Sequence, residues 1–280
     1  MRESLRRTAN ASAIGLCGLM AILAVFPLLA VLFHVTRLGL PALNWAFFTQ
    51  LPKPVGEPNG GMANGIAGSL VLIGIASLLG VPAGVLGGVY LARAANGRLG
   101  FWIRYAADVL SGVPSIVVGV VAYELVVVPM HGFSALSGGL ALGLIMLPTV
   151  VRTTEEMIRL VPSTLYEAAI ALGAPEWRAT VAVLLRGARA GILTGVMLAV
   201  ARVAGETAPL LFTAFNSTYW SRDLRKPIAS LPVLIFNYAT SPYDEWHAQA
   251  WAGALVLITL ILAMSLLTRF VSRGRYEILQ

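Results

Sequence analysis

Six apolar segments, each long enough to cross a lipid bilayer, dominate the sequence. They lie at Ala13–Val35, Gly65–Ala92, Asp108–Val128, Ala135–Val151, Gly191–Ala214 and Gln249–Phe270. A helix needs about 20 predominantly apolar residues to span the hydrocarbon core. Only 12% of the residues are charged, against about 25% in ordinary soluble domains. The sequence therefore predicts an all-α, polytopic membrane protein with six transmembrane helices. Pro114 and Pro148 interrupt the third and fourth segments, so the ends of these two helices are predicted only to within several residues.

Basic residues are distributed unequally between the predicted loops. The N-terminus, the loops after the second and fourth segments, and the C-terminus together carry fourteen of the twenty Lys and Arg residues. The positive-inside rule places such loops in the cytoplasm, so both termini are predicted to be cytoplasmic. The net charge of +7 then reflects membrane topology, and we expect no nucleic-acid partner.

Charged side chains also occur inside the apolar segments. Arg202 and Glu206 lie four residues apart in the fifth segment, and Glu124 lies near the outer end of the third. A charge at the centre of a bilayer costs roughly 2.5–3.5 kcal/mol on insertion scales. The four-residue spacing predicts that Arg202 and Glu206 share one helical face, where each partly neutralises the other. The fifth segment is therefore predicted to line the transport pathway. For Glu124, snorkelling or pairing with a partner subunit is the simpler expectation.

The loop between the fourth and fifth segments contains a predicted short helix. The sequence from Thr164 to Glu167 fits a capping box, in which Thr caps the first turn and Glu reaches back. Gly173 can end this helix in the left-handed conformation. Pro175 suits the first position of a second helix, which is predicted to run to about Arg186. The alanine-rich face of the short helix suits docking into another protein; a connector without a partner is the alternative.

This loop resembles the Glu-Ala-Ala loop of bacterial ABC importer permeases, the MetI-like family. The resemblance rests on Glu167, Ala168 and Ala169, followed after three residues by Gly173. It implies that the short helix is a coupling helix, which fits a cleft in an ATP-hydrolysing subunit. Arg186 replaces one proline of the family's pattern.

Further stretches are similar to the phosphate-importer branch of that family. They are residues 112–116, residues 201–211, and short matches in the outer segment 216–247, the largest outer surface available to a delivery protein. The similarity implies a MetI-like permease domain over residues 64–280, preceded by an extra N-terminal helix and outer loop over residues 1–63. It also implies a bacterial cytoplasmic (inner) membrane location. The implied partners are a homologous second permease subunit in a heterodimer, two copies of a nucleotide-binding ATPase, and an extracytoplasmic phosphate-binding protein.

Motifs for catalysis or cofactor binding are missing from the sequence. There is no Gly-x-x-x-x-Gly-Lys-Ser/Thr loop, so we expect ATP and Mg²⁺ to be bound by the partner ATPase. His34, His131 and His247 lack metal-ligand spacing, and the single cysteine, Cys17, allows no intrachain disulfide. The sequence thus predicts a transport subunit that is not an enzyme and holds no cofactor or metal of its own.

Together these features predict one half of a heteromeric pore that imports inorganic phosphate at the expense of ATP. Arg202 is predicted to supply positive charge where the anion has lost water. Glu206 is predicted to hold Arg202 in place when no substrate is present, and Thr207 to add a hydroxyl donor. The alternative is that the Arg–Glu pair only fixes helix packing between subunits. Two other functions stay open: an ABC permease for another oxyanion or solute, and a secondary transporter or channel that works without ATP.

Overall fold

The structure is a computed structural model that describes residues 2–93 and 97–273, and these residues form helices and loops without a strand. Arg275, one of the C-terminal basic residues, and the last residues of the predicted permease domain lie outside the described residues. The helices are α1 (Arg2–Gly39), α2 (Trp45–Thr49), α3 (Ala63–Arg93), α4 (Arg98–Gly112), α5 (Ser115–Ala122), α6 (Val128–Met130), α7 (Ala135–Arg159), α8 (Ser163–Ala171), α9 (Glu176–Ala179), α10 (Arg186–Ala204), α11 (Ala208–Thr213), α12 (Leu231–Ala239) and α13 (Asp244–Arg273).

Short irregular turns connect several of these helices. A 3-10 turn, Leu40–Ala42, follows α1. π-helical turns at Tyr123–Val127 and Thr180–Leu185 join α5 to α6 and α9 to α10. Because the second of these turns keeps the helix continuous, residues Glu176–Ala204 form one helix of 29 residues.

Among the described residues, five helices are long and apolar enough to cross a membrane. They are α1, α3, α7, the continuous α9–α10 helix and α13. The α4 helix and the α5–α6 helix form a sixth candidate, bent by 107° at the break between Gly112 and Ser115. With the bent pair counted as one span, the predicted all-α architecture with six spans is confirmed.

The two prolines act differently on their helices. Pro114 separates α4 from α5, and Val113 before it is extended (φ −70°, ψ 130°), because a residue before proline is disfavoured in the helical region. Pro148 is buried inside α7, which runs unbroken past it. The predicted third helix is therefore broken, and the predicted fourth helix is longer than expected.

The predicted fifth helix, Gly191–Ala214, is wrong at both ends. The structure starts this helix at Glu176 and ends it at Ala204, and a separate short helix begins at Ala208. Pro209 explains the break, since its ring clashes with the carbonyl of the residue four positions earlier, Gly205. Unlike α7 at Pro148, this segment leaves the helix at Gly205, before the proline, and resumes at Ala208.

The most extensive helix contact in the fold joins α3 to α7. Glycines of α3 lie directly against α7: a Cβ atom at Gly84 would lie 2.7 Å from Cβ of Val150, and one at Gly88 would lie 2.5 Å from Cβ of Thr154. Small residues allow helices to approach closely where lipid supplies no hydrophobic drive. The glycines at positions 84 and 88 therefore serve the close packing of α3 on α7.

A cluster of charged side chains joins α4 to α7 at the end of the bundle that carries α8, called here the α8 end. The buried Glu155 carboxylate lies 2.7 Å from Arg104 Nε, 2.7 Å from Arg159 Nη2 and 3.5 Å from Arg152 Nη1. Arg152 also forms an ion pair with the exposed Asp108 of α4, and its Nε donates to Oδ1 at 2.9 Å. These contacts fix the bent-away α4 helix against the bundle.

The opposite end of the bundle is closed by short helices packed on α13. The buried core there contains Phe47 of α2, Met62, Leu231 and Leu234 of α12, and Ala252 of α13. By contrast, only the C-terminal part of α1 packs on α13. The apolar side chains in the earlier part of α1 are exposed in this single chain.

The α3–α7 contact predicts opposite effects for two glycine substitutions in one helix. Gly88→Ala should lower the free energy of unfolding by about 1–3 kcal/mol, because the added methyl group overpacks the contact with Thr154. Gly74→Ala should leave stability unchanged or raise it, since a Cβ atom at Gly74 meets nothing within 4 Å and alanine favours helix more than glycine does. Thermal unfolding of the detergent-solubilised variants measures both effects. Equal changes in the melting temperature of the two variants would contradict the close approach of α3 to α7 at Gly88.

Candidate functional site

The break between α10 and α11 is the first candidate site. The end of α10 is closed by two hydrogen bonds, from Gly205 N to Arg202 O (3.3 Å) and from Glu206 N to Val203 O (3.2 Å). The chain then passes Thr207 and enters α11. The break thus separates an arginine in the last turn of one helix from a glutamate and a threonine in the connecting segment.

The α11 side of the break is packed against two other helices of the bundle. The α11 helix lies against α5 so closely that a Cβ atom at Gly119 would lie 2.6 Å from Cα of Pro209. At the end of α11, the carbonyl of the buried Thr213 accepts hydrogen bonds from Ser134 N (3.0 Å) and Ser137 Oγ (2.8 Å) of α7. The break is therefore a built feature of the bundle.

Arg202 and Glu206 do not form the predicted pair. Within the described part of the chain, no carboxylate lies within 4 Å of the Arg202 guanidinium, and none of its N–H groups donates a hydrogen bond. Because α10 ends at Ala204, the two residues do not share a helical face. The prediction that Glu206 holds Arg202 in place is wrong for this chain.

The side chains at the break are accessible. Arg202 is exposed, while Glu206 and Thr207 are half-buried, and the Thr207 hydroxyl has no hydrogen-bond partner among the described residues. An arginine presents five N–H donors and no acceptor. The break therefore offers a cation and a hydroxyl whose partners must come from outside the described chain. The assignment of Arg202, Glu206 and Thr207 to the substrate pathway stays a prediction.

Glu124 is a second charged group of this kind. It lies in the π-helical turn that joins α5 to α6, it is exposed, and it forms no ion pair with any residue in the described ranges. Single π-helical turns inside helices are frequent at functional sites. Glu124 thus adds a carboxylate to the exposed surface of this subunit.

The α8 helix is the second candidate site, and it starts differently from the prediction. The helix begins at Ser163 after Pro162, with no side-chain hydrogen bond at its cap. The predicted capping box from Thr164 to Glu167 is therefore wrong. Pro162 already sets the backbone at the helix start, and Leu165 N donates to its carbonyl at 3.2 Å. Thr164 consequently lies inside the first turn.

The predicted left-handed end of this helix is confirmed. Gly173 has φ +84°. Gly173 N donates to Ile170 O (2.9 Å), and Ala174 N donates to Ala169 O (3.1 Å). This pair of bonds is the Schellman motif, which satisfies carbonyl groups at a helix C-terminus. Because nothing lies within 4 Å of a Cβ atom at Gly173, glycine is required there for its backbone conformation.

The surface of α8 is open. None of its residues is buried, Glu167 and Ala168 are exposed, and Ala169 is half-buried. Large apolar side chains around it are also exposed, most of all Leu172 at 90%. An apolar surface of this kind next to a short helix is typical of a protein interface. The coupling role of Glu167, Ala168, Ala169 and Gly173 stays a prediction.

The two candidate sites are joined by one helix. Pro175 caps the α9 helix, one position before its predicted place, and the continuous helix from Glu176 to Ala204 carries Arg202 in its last turn. At 1.5 Å per residue, this helix extends over roughly 40 Å. The α8 and α9 helices are called here the α8 element. The α8 element and Arg202 therefore lie near opposite ends of the continuous helix.

Two grooves open at the opposite end of the bundle. One of about 790 Å³ is lined mainly by residues 215–223, and one of about 720 Å³ lies between residues 51–55, the 216–219 segment and α12. Tyr238 and Trp246 stack with 4.7 Å between their ring centroids beside the second groove. Burial raises the pKa of the Tyr238 phenol. These grooves provide concave, aromatic surface in the segment that was predicted to face a delivery protein.

Two charged groupings at the α8 end were not predicted as functional. In the sequence, Arg93, Arg104 and Arg152 indicate only the membrane topology. The spacing of Arg152, Glu155 and Arg159 on α7, three and four residues apart, is a signal that could have indicated an ion-pair cluster. The contribution of α4 to that cluster depends on the bend at Pro114, which the sequence does not specify.

Comparison with known proteins identifies the fold and the family. The family described as "Binding-protein-dependent transport system inner membrane component" matches residues 84–275. The chain is similar in fold to an inward-facing structure of the MetNI methionine ABC transporter, with a TM-score of 0.58, 19% identity, and coverage of 74% of this chain and 91% of that chain. An amino acid ABC transporter structure gives a TM-score of 0.57 at 18% identity, covering 75% and 92%.

Curated relatives share most of the sequence. "Phosphate transport system permease protein PstA" of Yersinia pestis is 44% identical over 274 residues, which cover 96% of this chain and 92% of that protein. The protein of the same name from Xylella fastidiosa (strain Temecula1) is 46% identical, covering 93% and 91%. The predicted resemblance is thereby confirmed. The chain belongs to the family of binding-protein-dependent transport system inner membrane components, on the branch of the phosphate transport system permease proteins.

Proposed function

We propose that this chain is the permease subunit of an ATP-driven importer of inorganic phosphate. The observation that carries the proposal is the match, at 44–46% identity over more than nine-tenths of the chain, to proteins named as phosphate transport permeases. The exposed, unpaired guanidinium at the helix break supports the same substrate class. The chain acts as one half of the pore, and the second half is a homologous permease subunit.

In this proposal Arg202 binds the phosphate during its passage. An anion that has lost water needs strong donors, and charge-assisted bonds from arginine to phosphate are about twice as strong as neutral hydrogen bonds. The planar guanidinium can also hold two phosphate oxygens at once. Thr207 adds a hydroxyl donor at the same break. Glu206 contributes a negative charge that disfavours retention of the anion, because it forms no ion pair with Arg202.

The two ends of the bundle contact different partners. The α8 end faces the cytoplasm together with both termini, in agreement with the excess of basic residues there. The α8 helix, through Glu167, Ala168, Ala169 and the Gly173 end, docks into one of two ATPase subunits, which bind ATP and Mg²⁺. The grooves at the opposite end receive an extracytoplasmic phosphate-binding protein. The continuous helix from α9 to Arg202 connects ATP hydrolysis to the pathway.

Reconstitution tests this function directly. The complex of this chain with its second permease subunit, the ATPase and the binding protein should take up labelled phosphate into vesicles only when ATP is present on the ATPase side. Vesicles with the permease subunits alone should show no uptake. Phosphate uptake without the ATPase, or a clear preference for another solute over phosphate, would contradict the proposal.

Substitutions at the helix break should separate a pathway role from a structural one. Arg202→Gln should reduce uptake roughly ten- to hundred-fold, since a hydrogen bond to a charged group contributes about 1.5–3 kcal/mol. Arg202→Lys should keep part of the activity, because the charge remains without the planar fork. Glu206→Gln should have a milder effect. Uptake is normalised to the amount of assembled complex.

The double variant Arg202→Gln/Glu206→Gln distinguishes a pathway role of Arg202 from a role of the Arg–Glu pair in packing between subunits. If the pair only fixed packing between subunits, each single neutralisation would leave a charge unpaired, and the double variant would recover. In a pathway role, the double variant stays as impaired as Arg202→Gln. Recovery of uptake in the double variant would remove Arg202 from the pathway.

The end of α8 gives a prediction about coupling. Gly173→Val should abolish most of the ATP hydrolysis that is stimulated by the phosphate-loaded binding protein, because a β-branched residue disfavours the left-handed conformation. Gly173→Asn is the matched control and should retain stimulation, since asparagine tolerates this conformation. Both variants should assemble into the complex. Normal stimulation in an assembled Gly173→Val complex would contradict the coupling role of this turn.

A further inference from the structure

Arg93, the last residue of α3, contacts both helices of the α8 element. Its guanidinium carbon lies 4.9 Å from the ring centroid of Tyr166 in α8. Its Nη2 lies 2.8 Å from Oε2 of Glu176 in α9, and its Nη1 donates to Oγ1 of Thr180. One side chain thus links three separate segments at the α8 end.

The contacts restrain Arg93 from several directions. An exposed ion pair alone contributes little, and the Glu176 side chain is 76% exposed. Thr180, however, is buried, and its hydroxyl also donates to the Glu176 carbonyl at 2.8 Å. Arginine stacked on an aromatic ring adds a cation–π attraction that lysine provides without the planar fork. The combination holds the guanidinium in one position between α8 and α9.

Tyr166 of α8 packs against the bundle. It packs on a small buried cluster formed by Ile158 of α7, Leu184 of the second π-helical turn and Ala188 of α10. The rest of α8 is open, with no buried residue. The Tyr166 ring therefore gives α8 a side-chain contact with the bundle in addition to its chain connections, and Arg93 lies on that ring.

We propose that Arg93 is a positioning residue that transmits movement of α8 to the α3 helix. The inference rests on the proposed function, in which α8 is the docking element for the ATPase. Through Arg93, motion of α8 acts on the end of α3, and α3 in turn packs along α7 over its most extensive contact. The continuous α9–α10 helix and α3 would then move together when the ATPase moves α8.

The test measures how much phosphate the reconstituted complex moves for each ATP hydrolysed. Arg93→Gln and Tyr166→Leu should each lower this ratio at least three-fold, because each removes one side of the cation–π contact. Tyr166→Phe keeps the ring and should stay within two-fold of the unmodified complex. The double variant Arg93→Gln/Tyr166→Leu should be no worse than the more impaired single variant, since both remove the same link.

Asp108→Asn is the matched control. It removes an ion pair at the same end of the bundle, between α4 and α7, that does not involve α8. Its phosphate-to-ATP ratio should equal that of the unmodified complex. If the Arg93 contacts only stabilised the fold, Arg93→Gln would lower the amount of assembled complex without changing the phosphate-to-ATP ratio. The amount of complex and the ratio are therefore measured separately.

The outcomes also separate this inference from the proposed function. If the unmodified complex moves no phosphate, the proposed function fails. If it transports phosphate and both Arg93→Gln and Tyr166→Leu keep a normal ratio, the role of Arg93 is overturned. Should Arg93→Gln not assemble, the two Tyr166 variants decide: a ratio reduced in Tyr166→Leu but not in Tyr166→Phe supports the link, and any other result overturns it.

Discussion

The close contact between α3 and α7 is the constraint on which the other parts of the structure depend. It exists because Gly84 and Gly88 present no side chain to the facing helix, so two backbones approach at a distance that any Cβ atom would prevent. The α7 helix then supplies the attachment points for both neighbours. Its Glu155 binds the arginine of α4, and its N-terminal serines bind the end of α11. Loss of this contact would disturb both the charged cluster at the α8 end and the helix break.

Two interruptions of helical structure determine where the charged residues of the bundle lie. Pro114 turns α4 away from α5, and Pro209 ends the α10 helix before Gly205. The first interruption lets Arg104 and Asp108 of α4 form ion pairs with α7 at the α8 end. The second places Arg202 at a helix end, without a counter-ion in the described chain. A single continuous helix joins that arginine to the α8 element, and Arg93 provides a second connection through α3. In the proposed function, ATP hydrolysis at the α8 end acts on the pathway through these two helices.

The number of spans and the left-handed residue after α8 were predictable from the sequence because each depends on local chemistry. The length of a bilayer-spanning helix limits where apolar segments can lie, and a φ of +84° at Gly173 is a conformation that glycine tolerates best. The Arg202–Glu206 pair was predicted wrongly because spacing was weighed without the effect of Pro209 on Gly205, although that signal is present in the sequence. The contacts of Glu155 and Arg93 could not be predicted from the sequence. They depend on the direction of α4 and on the placement of α8 against α3, which only tertiary packing determines.

In the assembled transporter, Arg202 is expected to face an aqueous pathway. The direct measurement places a cysteine at position 202 in a Cys17→Ser background, which removes the only native cysteine. The assembled complex is then treated with a charged, water-soluble methanethiosulfonate. Arg202→Cys should react rapidly, whereas the buried neighbour Val203→Cys, 1% exposed in this chain, should react slowly. If Arg202→Cys reacts only with a lipid-soluble reagent, or as slowly as Val203→Cys, the residue faces lipid or a subunit interface, and the pathway account is contradicted.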